Sequence, residues 1–293
     1  MIKFIPLSKD LLIDKSILLI SPESWGINHV SKHHYAVELS KKGNKVYFLN
    51  PPGKVNSLID IYKDLWVVNY KPCFRGLRIL PGYMSGFLVK KEIEKLEKWI
   101  NVKFDIIWNF DSSRFFNLSQ IKNKLKIAHI VDWSENFNRK LLSKTSDIGF
   151  CTSRFLEEEM KKYNPHTYNI GHGYSTSDYM LNEEELKQLK DKFKIKVGYV
   201  GNMNITYIDW SLIKTLAERN PDIGFYFLGP INKSNISNST IINHGYFVVN
   251  ELHNTFFLGE KDSYKIPSYL AQFNILIIVY KSRGYVKQLA NPQ

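Results

Sequence analysis

Along this chain, short continuous apolar runs alternate with segments whose apolar positions recur every three to four residues. The runs "SILLIS" (16–21), "KVYFLN" (45–50), "FDIIWNF" (104–110), "KIAHIV" (126–131) and "IGFCTS" (148–153) lack the alternation of half-exposed strands. Strands buried on both faces look like this, as in a parallel sheet covered by helices. Helices are predicted between them in "VSKHHYAVELSKKGN", stopped at Gly43, in "FLVKKEIEKLEKWI" and in "SRFLEEEMKKYN". The last offers Ser153 as N-cap, Glu157–Glu159 near its positive end and Lys161–Lys162 near its negative end. The pattern is that of a doubly wound α/β domain.

The pattern lapses in "YNIGHGYSTSDYMLNEEELKQLKDKFK" and then restarts. "KVGYVGN" reads as strand and turn, "DWSLIKTLAERNP" as a helix stopped by Pro221, and "DIGFYFLGP" as a strand stopped by Gly229-Pro230. "NTFFLGEKD" reads as a short strand, "YKIPSYLAQF" as a helix and "NILIIVYK" as a buried strand. Two Rossmann-like parallel-sheet domains are therefore expected: residues 1–172, a crossover at 173–194, and a second domain at 195–293. Ligands of such sheets bind beyond the carboxyl ends of the strands. The expectation is one cleft onto which both sets of strand ends open.

Composition adds little to this picture except through charge. The 293 residues carry a formal charge of +12, and residues 1–172 hold 27 Lys+Arg against 17 Asp+Glu. That basic half points to an anionic contact or, equally, to lysines on solvated faces. Cys73 and Cys151 have neither metal-ligand spacing nor a disulfide framework, and read as two reduced thiols of a cytoplasmic protein. No secretory leader and no membrane-spanning run is evident.

"SWGINHVSKHHYAVELSKKGNKVYFLNPP", "HIVDWSENF", "CTSRFLEEEM" and "IGHGYS" in the first half stand beside "VGYVGNMNITYIDWSLIKTLAERNPDIGFYFLGP", "FLGEKDSYKIPSYLAQFNILIIVYK" and the final "NPQ". In order and spacing these stretches resemble GT-B glycosyltransferases. The likeness is to retaining, family-four-type enzymes, especially those of teichuronic-acid and other bacterial surface-polysaccharide biosynthesis. The resemblance implies transfer from a nucleotide-sugar, used as substrate with no cofactor, to a glycan or lipid-linked glycan acceptor. It places the protein in the cytoplasm, peripherally at the inner face of the plasma membrane. It also implies that the chain ends at Gln293 within its second domain. Alternatives are a nucleotide-sugar epimerase of the same fold, which needs several cleft carboxylates such as Asp132 and Asp111, and a non-catalytic sugar- or nucleotide-binding protein. No recognition motif supports a nucleic-acid partner.

Several residues carry the candidate chemistry. Gly201-Asn202 forms a turn where backbone can approach a diphosphate closely. The Arg and Lys-Gly that the family places soon after this turn are missing from "GNMNITYIDW", so Lys281 and Arg283 in "VYKSRG" are the candidate phosphate cations. Asn291 of "NPQ" joins them through the resemblance. In the first half, Gly26 follows the first strand, and at most one of His33 and His34 faces the site, since helical neighbours point about 100° apart. Asp132, Trp133 and Ser134 emerge at a strand's carboxyl end. There Asp132 can hydrogen-bond sugar hydroxyls or cap a helix, and Trp133 can stack on a sugar or join the core. His172 in "GHG" is a cleft or hinge residue. No Asp-x-Asp or metal-ligand cluster is present, so donor binding is expected to be metal-independent. Finally, "CFRGLRILPGYMSGFLVKK" (73–91) joins apolar residues to Arg75, Arg78, Lys90 and Lys91 without an acid. It reads either as a buried strand with flanking turns or as a contact with an anionic membrane.

Overall fold

The computed structural model describes residues 12–26, 29–74, 80–132, 138–173, 181, 189, 192–231 and 244–281. The chain divides into two compact units, Met1–Tyr174 and Ser175–Gln293.

In the first unit, β1 (Ser16–Ile20), β2 (Lys45–Leu49), β3 (Ser57–Tyr62), β4 (Leu65–Asn69), β5 (Ile106–Asn109), β6 (Leu125–Ile130), β7 (Ile148–Cys151) and β8 (Thr167–Asn169) make one sheet. Their order is β3-β4-β2-β1-β5-β6-β7-β8, parallel throughout except for the antiparallel β3–β4 pair. The chain winds outward in both directions from β1, so the β1/β5 junction is the topological switch point. α1 (Ser31–Lys41) lies on one face and places Ala36 and Leu39 among Ile17, Leu19, Val46, Phe48, Ile106 and Trp108. α2 (Gly82–Ile100), α3 (Arg139–Thr145) and α4 (Arg154–Lys161) cover the other, where Val89, Ile93, Leu142 and Met160 meet Leu18, Ile20, Ile107 and Ala128. Both faces are dry, which is why these strands read as unbroken apolar runs.

Capping follows the residues that sequence singles out. Ser153 accepts from Leu156 N at the start of α4, and Gly43 takes φ +87° directly after α1, the left-handed stop that glycine adopts without strain. α2 begins earlier than its apolar spacing predicts, at Gly82 instead of Phe87. Its Gly86 explains why glycine stands inside a helix. An added Cβ would lie 2.8 Å from Ser119 Oγ and 3.1 Å from Asn117 Nδ2, so the helix packs too closely on the 117–119 loop for any side chain.

The second unit holds β9 (Ile195–Val200), β10 (Ile223–Leu228), β11 (Thr255–Gly259) and β12 (Ile275–Leu276), all parallel, in the order β11-β10-β9-β12. α5 (Trp210–Arg219) is capped by Asp209, whose Oδ1 accepts from Leu212 N at 3.0 Å. α6 (His244–Val249) and α7 (Ile266–Leu270) are short. Two expectations need correction. "NILIIVYK" is not a continuous buried strand: Ile275 and Leu276 pair with β9 and Tyr280 makes an isolated bridge to Ile208, while Ile275, Leu276 and Ile278 are exposed and Val279 is buried. The buried-strand reading of 73–91 fails from Gly82 onward, which is helix; Arg75 and Arg78 lie outside the described residues.

Two histidines are built into the first unit as neutral rings. His33 accepts from Val30 N through Nδ1 at 3.1 Å and meets Ser24 O through Nε2 at 3.1 Å. Burial holds its pKa down at about 4, against the opposing pull of the Ser24 contact. His129 lies among Trp108, Phe110, Phe150 and Tyr35. Burial, with the nearby Lys32 charge and His172, takes it down to about 3. Both folded values fall below the ordinary 6.5. The stabilisation is therefore complete above pH 6.5 and is lost as pH falls toward 4, because the unfolded chain takes up protons that the folded one refuses. At pH 5 the loss is about 2 kcal/mol for each histidine. Urea unfolding at pH 7.5 and pH 5 measures it, and His129→Phe is expected to flatten the pH dependence by about half.

Candidate active site

Among the described residues, the first unit's switch point is closed by an ion pair. Asp111, buried just beyond β5, accepts from Ser113 N at 2.8 Å and Ser113 Oγ at 2.5 Å and pairs with Arg114. Arg114 donates onward to Ser21 O, at the end of β1, at 2.9 Å and reaches Tyr70 Oη, beyond β4, at 3.5 Å. Three strand ends are thereby tied together. Burial raises the Tyr70 phenol above its ordinary value, so it remains a neutral partner. With its oxygens so engaged, Asp111 is a structural carboxylate, which removes one of the acids an epimerase would need.

The other first-unit candidates are spread around this rim. Gly26 sits in the loop after β1, and an added Cβ there would meet only Ser24 O at 4.0 Å, so steric room is not what requires glycine. His33 is corrected from catalytic candidate to structural residue: it is fully buried and both ring nitrogens are occupied. His34 is exposed on α1, and His172 is exposed beyond β8. Asp132 is exposed just past β6. It does not cap α3, because Asn138 does so by accepting from Leu141 N. Trp133 and Ser134 lie outside the described residues.

Sequence reasoning missed two buried groups on this side. Lys32, in the first turn of α1, is buried and paired with Glu23. His129 receives the Trp108 indole N–H at Nδ1, 3.3 Å away. An indole nitrogen only donates, so the neutral imidazole carries its proton on Nε2, and that atom has no hydrogen-bond partner among the described residues. The signal was a lone histidine inside an otherwise apolar strand run, "KIAHIV".

The second unit's rim is made of backbone. β9, β10 and β11 each run into a glycine: Gly201, Gly229 and Gly259. Gly201 N donates to Leu228 O and Gly229 N to Gly259 O, both at 2.9 Å. Gly229 has φ +141°, and a Cβ there would stand 2.0 Å from Gly201 O. Only glycine allows the two turns to stack. The triplet "YVGN", "FLGP", "FLGE" was the available signal for Gly229 and Gly259. Asn202 Oδ1 accepts from Asn204 N at 2.9 Å and holds the turn.

Lys281 follows β12, across this unit's own switch point between β9 and β12. Its backbone N donates to Tyr207 O at 2.8 Å, and its exposed side chain reaches Thr206 O at 3.0 Å. The structure thus brings Lys281 to the loop that Gly201 and Asn202 open. Arg283 and Asn291 lie outside the described residues. Among the described residues no group of three or more His, Cys, Asp or Glu side chains is arranged to hold a metal ion.

Two parallel-sheet α/β units of this kind define the GT-B fold. No family model matches the sequence, and no curated protein does. Solved structures do. Sucrose-phosphate synthase from Thermosynechococcus elongatus has a TM-score of 0.68 at 13% identity, with 93% of this chain and 77% of that one covered. A glycosyltransferase from Rickettsia africae has a TM-score of 0.62 at 13% identity, covering 93% of this chain and 76% of that one. Anabaena HepE in complex with UDP-glucose has a TM-score of 0.53 at 12% identity, covering 93% and 76%. At these identities the likeness establishes the fold.

Gly229→Ala is expected to destabilise the second unit by about 3 kcal/mol or more, through the forced φ and the clash with Gly201 O. Gly26→Ala, with free space and no positive φ, is expected to stay within about 0.5 kcal/mol of the parent. Thermal unfolding of the two variants side by side measures the contrast.

Proposed function

We propose that the chain is a glycosyltransferase that moves a hexose from a nucleoside-diphosphate sugar to a bacterial surface-glycan acceptor, free or lipid-linked. The observation that carries this reading is the second switch point, where the bare backbone at Gly201 and the Lys281 cation stand at the carboxyl ends of β9 and β12. Open parallel sheets take nucleotides at such positions. HepE, of the same fold, was solved with UDP-glucose.

In the proposed reaction the anomeric C–O bond to the diphosphate breaks. The acceptor oxygen takes its place with retention of configuration, and its proton leaves with the diphosphate. The charge that develops on the leaving group is met by the Lys281 ammonium. A fixed ammonium does this without a divalent ion, so the reading includes metal-independent transfer.

The proposal extends to a peripheral site at the cytoplasmic membrane face. No described helix is long and apolar enough to cross a membrane. The first turns of α2, however, expose Tyr83, Met84 and Phe87, with Lys91 Nζ 5.5 Å from the Phe87 ring centroid and Lys90 one residue before it. Such a face lets apolar side chains enter the acyl boundary while each cation near an anionic leaflet contributes about 1 kcal/mol.

Two measurements test these readings. Calorimetry with UDP, with and without chelator, is expected to show the same affinity in both conditions, and Lys281→Ala is expected to weaken it about tenfold, as loss of one charge-assisted contact would. Absence of any nucleoside-diphosphate binding overturns the proposal. Co-sedimentation with anionic vesicles is expected to fall for Phe87→Ser/Lys91→Glu; equal partitioning of parent and variant removes the membrane contact.

A further inference from the structure

β9 and β12 separate at the second unit's switch point. Their ladder ends where Ile277 N donates to Gly198 O at 2.9 Å. Beyond it, residues 279–281 lie along the 207–209 loop instead. Asp209 N donates to Val279 O at 3.1 Å, Lys281 N donates to Tyr207 O at 2.8 Å, and Tyr280 forms an antiparallel bridge to Ile208. The segment that carries Lys281 has therefore left the strand that leads into Gly201. A pair of tyrosines spans the gap. Tyr199, the penultimate residue of β9, is buried, and its hydroxyl is hydrogen-bonded to that of Tyr280. The same hydroxyl lies under the glycine turn, 3.0 Å from where a Cβ on Gly201 would stand. Tyr280 is held in turn by Tyr207, whose ring meets it edge-on with centroids 4.9 Å apart. Burial, with Tyr280 nearby, raises the Tyr199 phenol above its ordinary value, so it remains a neutral partner.

On the reading of this crevice as a nucleoside-diphosphate site, we infer that Tyr280 is a positioning residue, fixing Lys281 relative to the Gly201 turn through its hydroxyl bond to Tyr199. Packing alone does not ask for these hydroxyls. Two phenylalanines would fill the same space, whereas a hydrogen bond adds a set distance and direction. Lys281 directly follows Tyr280, so whatever holds the tyrosine also holds the backbone of the lysine. A lysine has a long flexible stem, and anchoring its base reduces the freedom lost when a phosphate is bound.

Calorimetry with UDP, paired with thermal unfolding, tests this. Tyr280→Phe keeps the ring and removes the bond; it is expected to weaken UDP binding about threefold to tenfold, the worth of one hydrogen bond. In the Lys281→Ala background the same change is expected to cost nothing further, because Tyr280 acts through Lys281. Tyr199→Phe/Tyr280→Phe removes both hydroxyls and leaves neither one buried alone, so its thermal stability is expected to return close to that of the parent while UDP affinity stays low. A purely structural role would restore both. A second readout needs no nucleotide: modification of Lys281 by an amine-reactive reagent, followed by peptide mapping, is expected to be about threefold faster in Tyr280→Phe. Unchanged UDP affinity in Tyr280→Phe, the same loss with or without Lys281, or affinity restored in the double phenylalanine variant overturns the inference. A parent that binds no UDP removes the nucleotide reading; Lys281 labelling then decides alone, faster labelling upholding the positioning role and unchanged labelling overturning it.

Discussion

The strand-end rim of the first unit is braced by one ion pair. A parallel sheet leaves its carboxyl ends as separate loops, and at a switch point the flanking loops depart in opposite directions. Backbone pairing across the junction reaches as far as Phe110 N and Ile20 O. Arg114 extends it, by binding Asp111 on its own loop and the carbonyl of Ser21 just past β1. Both partners are nearly dry, with side-chain exposures of 19% and 1%. Losing one would strand the other, which is the costly way to break a buried pair, at about 3–5 kcal/mol. The pair is therefore a structural requirement whose consequence is geometric: the loop after β5 is held against Ser21 and Tyr70 by it.

The second unit solves the same problem without side chains. Its three consecutive strand ends are locked by glycine turns in which one carbonyl, that of Gly201, occupies the space of a missing Cβ at Gly229. A glycine rim adds no side chains of its own at these turns, whereas the braced rim of the first unit is filled by its own arginine. On the proposed reading, this difference is why the diphosphate belongs with the second unit.

Much of the fold was legible because burial on both faces writes a simple code. β1, β2, β5, β6 and β7 appear within a residue or two of their apolar runs, and Ser153 caps where its side chain predicts. The β3–β4 hairpin was not legible. "SLIDIYKDLWVVN" joins an exposed apolar strand to a buried one, and periodicity cannot separate them when exposure does not bring polarity. The start of α2 was hidden by Gly82 and Gly86, residues that usually argue against helix; only the close approach to Asn117 and Ser119 explains them. "NILIIVYK" misled in the opposite sense, since its apolar run promises two neighbours and the described sheet supplies one, β9.

The site was legible in part for the same physical reason. Strand-end position can be read from a sequence, and it locates Asp132 just past β6 and Gly201 just past β9, whereas Lys281 lies five residues beyond the short β12. Side-chain commitment cannot be read, because it depends on partners distant in the chain. His33 looks available until Ser24 O and Val30 N are seen to occupy its ring, and Asp111 looks like an acid until Arg114 arrives. His129 is the converse: it looks like core and is core, yet the Trp108 indole fixes its tautomer and leaves a buried N–H unmatched among the described residues. An unmatched donor costs about 1–3 kcal/mol. The partners of His129 are Tyr35, Trp108 and Phe150, which come from other elements of the chain, and this is why no local pattern announces its role.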